Sequence, residues 1–340
     1  MNYIYGNKYT NFYTFHMFSF LNKRILVPKS NMFLASLLLS KDDRILITTY
    51  YRENSVVVYD FKKNVLLKKL NILKPHASTI YKNWLIISSE NKWSAIILVY
   101  NLNNFKKVSQ YNIKKKNLVP HSMCINKNLL FISFCEGANK TGLVMVFQFN
   151  SLVGKIDMVT DVIQKPFLSL GDTKGVCTDQ KEKFLFITFE SEPINFVHLF
   201  INKLLYFFFK IKFVEINNKN GIAIFEIYTS GKISKKPIKI ITFINNPRLE
   251  DIKIYKNKLA LVDLVNNIIF IYKIDDNLDL NLITKLTANL NSPHCACFYN
   301  EGKKLLVANT YIKVVNKKAK FWYFNKSSNK PFITFDMLNS

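Results

Sequence analysis

A unit of four short β-type runs recurs about every 45 residues along the chain, and this period narrows the possible folds more than any other feature. The tetrapeptide Ile80-Tyr81-Lys82-Asn83 returns as Ile254-Tyr255-Lys256-Asn257 and, nearly, as Ile125-Asn126-Lys127-Asn128. Each copy leads into a β-rich run: Trp84 to Ser88, Leu129 to Phe134, Lys258 to Asp263. The pair Pro-His occurs at Pro75-His76, Pro120-His121 and Pro293-His294, the first two in the same phase of this pattern. Units start near Pro28, Pro75, Pro120, Phe167, Pro247 and Pro293, and all but the fourth have similar length. In the second, the runs are Ser78 to Tyr81, Trp84 to Ser88, Ile96 to Tyr100 and Lys107 to Tyr111. They are rich in Ile, Val, Tyr and Thr and are separated by Asn, Lys, Asp or Gly turns, as strands joined by hairpins are. No stretch sustains a period of 3.6.

Four strands per unit, repeated radially, give each small sheet two neighbours against which to bury its faces. The expectation is therefore an all-β chain, a single β-propeller of six to seven four-stranded blades. Glycine is scarce, with 9 in all. Asparagines in turns such as Asn103-Asn104 and Asn266-Asn267 are expected to take the positive-φ positions. Residues 1–27 read as closure strands or as half of a seventh blade, with Phe12 to Phe18 and Arg24 to Val27 around a turn at Asn22-Lys23. The last unit has outer strands of its own, Lys320 to Phe324 and Pro331 to Phe335, which leaves six and seven both open. The propeller spans 28–335. Its fourth unit carries a hydrophobic insertion, 193–220, containing Phe196, Phe200 and Tyr206 to Phe209. That insertion reads as a contact element for a partner or membrane surface, as packing against the blade sides, or as unselected AT-rich coding sequence.

Pro293-His294, Asn300-Glu301-Gly302-Lys303-Lys304 and Leu305-Leu306-Val307-Ala308-Asn309 resemble the "PH…dGk.LyVaN" repeat of YVTN and lactonase-like β-propellers. Pro120 to Phe149 matches more loosely, and the other units keep only the strand rhythm. The resemblance implies a propeller of the lactonase/YVTN/WD40-like superfamily. It implies no particular activity, because that superfold carries enzymes, sensors and scaffolds alike.

Forty-eight basic against 23 acidic residues give a net charge of +25. Such a charge favours nucleic acid, anionic membrane surfaces or other acidic partners. Codon bias offers a second account, since Lys, Asn, Ile, Phe and Tyr are abundant together. The lysines are also dispersed in clusters such as Lys62-Lys63, Lys106-Lys107, Lys114-Lys115-Lys116 and Lys317-Lys318, which are expected in turns. No run of ~20 uninterrupted apolar residues is present. The best stretch, Ile194 to Ile216, is broken by Lys203, Lys210, Lys212 and Glu215. The N-terminus has no basic region followed by an apolar one, so no signal peptide and a cytoplasmic location are expected. Five scattered cysteines suggest no disulfide framework.

Glycine-rich phosphate loops, nucleophile elbows and paired-histidine zinc motifs are all missing from the sequence, so no catalytic residue, metal or cofactor is assigned. Cys295-Ala296-Cys297 reads as two small thiols on one strand face. Asp275, Asn277, Asp279 and Asn281 alternate like calcium-loop ligands, but Leu280 and Leu286 occupy the places that loop gives to Gly and Glu. Trp84, Trp93 and Trp322 read as packing residues. Phase supplies the one constellation of interest. If the first strand of each blade lines the channel, His76, His121 and His294 share one level, and counting back from the following strands adds Glu250, Lys174 and Leu34. Such a mouth could bind a metal, an anion or a polar ligand, or its histidines could simply cap their strands. Three functions follow: a non-catalytic scaffold for a protein or small polar ligand, a lactonase-like hydrolase or isomerase using these histidines, or a basic surface for RNA or anionic lipid.

Overall fold

A computed structural model describes residues 12–16, 24–28, 34–91, 94–116, 118–136, 142–163, 172–190, 220–243, 247–310, 312–316, 321–324 and 332–337. These residues form strands and turns without helix, organised as a six-bladed β-propeller. Blades 1 to 5 are four-stranded antiparallel sheets whose strands follow in sequence order from the channel outward. Their innermost strands are Leu34–Leu39, Pro75–Tyr81, Leu118–Asn126, Asp172–Thr178 and Leu249–Tyr255. Blade 6 begins with Pro293–Tyr299, pairs it with Lys304–Asn309, and adds Phe332–Asp336 as its third strand.

Burial explains why the runs are so apolar. The middle strands Ile45–Tyr50 and Ser55–Asp60 of blade 1 are buried throughout, because both sheet faces press on neighbouring blades. The outermost strand, Val65–Asn71, is mostly exposed and carries Lys68 and Lys69. The core is divided among the interfaces between successive blades. One cluster joins Ile86, Ile97 and Val99 of blade 2 to Leu130, Ile132 and Phe147 of blade 3, and corresponding clusters lie at the other junctions. Leu34, Leu46, Tyr50 and Tyr59 of blade 1 pack directly on Cys295, Leu306 and Phe332 of blade 6. Six blades therefore close the ring.

Several turns obey the repeat. The pairs Tyr81–Trp84, Asn126–Leu129 and Tyr255–Lys258 close two-residue hairpins, and Lys82, Lys127 and Lys256 adopt φ of 53°, 50° and 53° there. Asn54, Asn64, Asn267, Asn289 and Asn300 also take positive φ, so asparagine does stand in for glycine. At Asn103-Asn104 the positive φ falls instead on Phe105.

Two further expectations are overturned by the strand pairing. Phe321–Phe324 pairs with Ile312–Asn316 as a separate ladder, so the outer part of the last unit is not two successive blade strands. Lys114-Lys115-Lys116 lies in the outermost strand of blade 2, Lys107–Lys116, rather than in a turn. Phe12–His16 and Arg24–Pro28 pair with each other as a hairpin. The insertion 193–220, apart from Asn220, lies outside the described residues, as do Trp93 and Lys317-Lys318. Asp275 closes a hairpin turn by accepting the N–H groups of Asn277 (3.0 Å) and Asp279 (2.8 Å).

Candidate functional site at the channel mouth

One local device builds the site. In every blade the pairing of the innermost strand with its neighbour slips near its start: between Leu34 and Ser36, Pro75 and Ser78, Pro120 and Ser122, Thr173 and Val176, Leu249 and Asp251, and Pro293 and Cys295. A bulge leaves a residue without a ladder partner and re-aims its side chain. The bulged positions are Ala35, His76, His121, Lys174, Glu250 and His294. Five of these match the level expected from phase. The sixth does not: Leu34 is 1% exposed within the core between blades 1 and 6, and Ala35 takes the ring position. The slip begins one residue later than turn counting suggests.

Hydroxyls in the second strands fasten the bulges. Ser133 Oγ donates to the carbonyl of Lys174 in the next blade, and Thr49 Oγ1 donates to that of His76 at 2.6 Å. Thr188 Oγ1 accepts the Gly175 N–H at 2.7 Å and donates to the Leu249 carbonyl at 3.1 Å. Gly175 is required where it stands. A Cβ there would lie 2.8 Å from the backbone nitrogen of Ile252 and 3.0 Å from the Asp251 backbone.

The five polar side chains interact as a chain around the mouth. The rings of His76 and His121 are 6.2 Å apart, Lys174 Nζ donates to His121 Nε2 at 3.3 Å, and His294 Nε2 lies 3.8 Å from Glu250 Oε2. Partners that carry no repeat signal complete the network. Glu90 accepts from Tyr51 Oη (2.8 Å) and Lys74 Nζ (2.9 Å), and its carboxylate is 3.5 Å from His76 Nε2. Arg248 bonds Glu250 and reaches Glu190 at 3.3 Å. Tyr51 also packs on the His76 ring, with centroids 4.6 Å apart. Glu90, Glu190 and Arg248 escape sequence reading because they sit at strand ends and approaches, outside the repeat phase.

Burial and charge set the protonation states. Burial pushes His76, His121 and His294 below the usual imidazole range; Lys174 depresses His121 further, while Glu90 and Glu250 oppose the shift at His76 and His294. The histidines are therefore neutral at pH 7. Hydrogen bonding from His76 leads the stabilisation of the Glu90 carboxylate, with Lys74 and Tyr51 adding to it, and holds its pKa at about 2. Burial works against ionisation of Glu250, but Arg248 and Lys174 outweigh it and hold the carboxyl low.

Beneath this level lies a cavity of about 150 Å³. His121, Glu250 and His294 line it from the ring, whereas His76 and Lys174 belong to the level without lining the cavity. Because of the bulge, Glu250 and Asp251 both face it although they are consecutive in sequence. Below lie Ser36, Ser78 and Ser122, then Thr79, Cys124, Cys177 and Lys253, the last paired with Asp251 at 2.9 Å. Burial raises the thiols: Cys124 and Cys297 to about 12, and Cys177 and Cys295 well above their usual value. They are neutral packing groups. Among the described residues no three or more His, Cys, Asp or Glu side chains converge as metal ligands.

The class defined by this fold and site is a six-bladed propeller with a polar, buried channel mouth. Among solved structures, the chain is similar to a functionally unknown protein from Desulfotomaculum acetoxidans, with TM-score 0.61 and 10% identity over 92% of each chain. It is also similar to the calcium-binding protein regucalcin from Agrobacterium tumefaciens, with TM-score 0.54 and 10% identity over 82% of this chain and 83% of that one. The propeller domain of Cps50 (Swd1) from Myceliophteria thermophila gives TM-score 0.53 and 10% identity over 81% and 79%. At such identities the likeness shows the fold alone, a β-propeller. No protein-family model and no curated protein sequence matches the chain. No helix among the described residues is long and apolar enough to cross a membrane.

Proposed function

We propose that this propeller is a non-catalytic binding module whose site is the channel mouth and the cavity beneath it, and that it takes a small polar ligand or a polar side chain presented by a protein. The observation that carries this reading is that equivalent bulges in five blades aim His76, His121, Lys174, Glu250 and His294 into one level above a cavity of about 150 Å³. Convergent polar groups in a concavity are the usual signature of a binding site. The cavity admits a few waters or a small metabolite and is below the usual range for drug-sized ligands. Acceptors (Glu250, Asp251) and donors (Ser36, Ser78, Lys253) both line it, which suits a ligand carrying both kinds of group.

The test is a thermal-shift screen of the full chain against small carboxylic acids, amines, polyols and inorganic phosphate. A true ligand at a hundredfold excess over its Kd stabilises the fold by about 2.7 kcal/mol. That shift should vanish in His121→Ala. A screen without stabilisation, or a shift that His121→Ala leaves unchanged, would sink the reading. That His121 and His294 both line the cavity as neutral imidazoles also favours a second reading, in which one of them serves as a base toward a bound substrate. Lactone hydrolysis by the purified chain, lost in His121→Ala, would move the protein to the hydrolases.

A further inference from the structure

We propose that the face opposite the channel mouth docks on anionic lipid membranes, with the turn of residues 151–154 as its apolar tip and the surrounding lysines as its electrostatic contact. The innermost strands begin at the mouth. Antiparallel order therefore sends the turns between first and second strands, and between third and fourth, to the far face. The turn 151–154 joins the third strand of blade 3, Gly142–Asn150, to the fourth, Lys155–Ile163. At its tip Leu152 is 89% and Val153 55% exposed. Single exposed aliphatics are ordinary; two adjacent ones on a rigidly held tip are less so.

The tip is held from below. The Gly154 N–H donates to the Asn150 carbonyl at 2.9 Å, and the Leu152 N–H donates to Asn150 Oδ1 at 3.1 Å. Ser109 Oγ donates to the Gly154 carbonyl at 2.6 Å, and Trp84 Nε1–H donates to that of Ser151 at 2.8 Å. Gly154 has φ +66°, and the Trp84 ring occupies the space a Cβ would need, its nearest atom 2.6 Å away. The turn thus ties two of its carbonyls to blade 2 while exposing two aliphatic side chains.

Cations surround it. Lys82 Nζ donates to Ser151 Oγ at 3.1 Å and lies 5.4 Å from the Tyr81 ring centroid. Lys155 follows the tip, Lys107 begins the blade 2 strand that supplies Ser109, and Lys106 precedes it. All four lysines are exposed, and none is ion-paired with a carboxylate among the described residues. Lys82 also sits at left-handed φ, a position that asparagine fills more easily. The chemistry favours lipid over nucleic acid. Single strands bind by stacking bases on aromatic rings, whereas this tip offers aliphatic chains suited to the acyl boundary, ringed by ammonium groups suited to an anionic headgroup layer.

The experiment is flotation of the full chain with vesicles of phosphatidylcholine, alone or with roughly one third phosphatidylserine. We expect partitioning onto the anionic vesicles only, falling about tenfold between low and high salt as screening grows. The charge-neutral variant Leu152→Ser/Val153→Ser should lower it about tenfold again, and Lys82→Glu/Lys155→Glu by a similar factor. Equal association with neutral and anionic vesicles overturns the proposal, and so does a serine variant that floats like the parent. Salt-sensitive binding of a single-stranded RNA without vesicle binding assigns the face to nucleic acid and overturns it too. These substitutions are at exposed side chains, and the melting temperature of each variant confirms that the fold is intact.

Discussion

Replacing Gly175 by alanine tests how closely blades 4 and 5 approach at the channel. By chain statistics the change should help: alanine loses less conformational freedom on folding, typically favouring the substitution by about 0.5–1 kcal/mol in a strand. The structure predicts the opposite sign. Gly175 has no positive φ, so alanine is not strained by its own backbone. Its Cβ, however, would stand 2.8 Å from Ile252 N and 3.0 Å from the Asp251 backbone, both on the innermost strand of blade 5. Ordinary contact is roughly half an ångström longer, and main chain in a closed ring gives less readily than a side-chain tip. Overpacking of this kind costs about 1–3 kcal/mol. Midway in each range, the overpacking less the entropic gain leaves a net destabilisation of about 1 kcal/mol, and Gly175→Val should exceed about 3 kcal/mol. Equivalent positions in other blades hold Ser36, Ala77, Ser122, Asp251 and Cys295, so side chains are tolerated there. Urea unfolding of the two variants beside the parent measures both values. An alanine variant as stable as the parent, or more stable, would refute the close approach on which the mouth geometry depends.

Further expectations follow from protonation, burial and topology. Glu90, held at about pKa 2 in the fold, contributes stability that is complete above its unfolded value near 4.5 and is lost as pH falls from there towards 2. Glu90→Gln should flatten that part of the acid limb in pH-dependent denaturation. The mouth histidines, depressed in the fold, likewise contribute stability that is present above about pH 6.5 and fades below it. His121→Gln should therefore reduce the slope of stability against pH just below 6.5, and an unchanged slope would contradict its burial as a neutral group. Cys177, Cys295 and Cys297, buried and raised, should react with an aromatic disulfide at pH 8 only as fast as the protein opens, and immediate reaction of all five thiols would show them accessible. Replacing 193–220 by a short Asn-Gly turn should keep a cooperative melt, since Phe184–Glu190 and Gly221–Glu226 are already paired in register; insoluble protein would show that the segment belongs to the blade packing.

Much of this architecture is local, and the sequence by itself determined it. Strands here are short, buried on both faces in mid-blade and exposed at the rim. The apolar runs and the Lys-Asn turns at Lys82, Lys127 and Lys256 therefore announce each hairpin from neighbouring residues alone. The Pro-His phase likewise located His76, His121 and His294 at one level, because the bulge recurs at the same distance from the first turn. The tertiary structure decided what depends on closure and on approach between distant segments. Whether six or seven blades close the ring is set by the packing of Leu34, Tyr50 and Tyr59 on Leu306 and Phe332, residues far apart in sequence. The choice of Ala35 over Leu34 turns on where one ladder slips, a shift of a single residue that moves a side chain from core to channel. The partners that fix the mouth's charge, Glu90 for His76 and Arg248 for Glu250, come from strand ends without periodic signal. They meet only because the ring holds six sheets around one axis, where burial makes every unmatched charge costly and every matched one close.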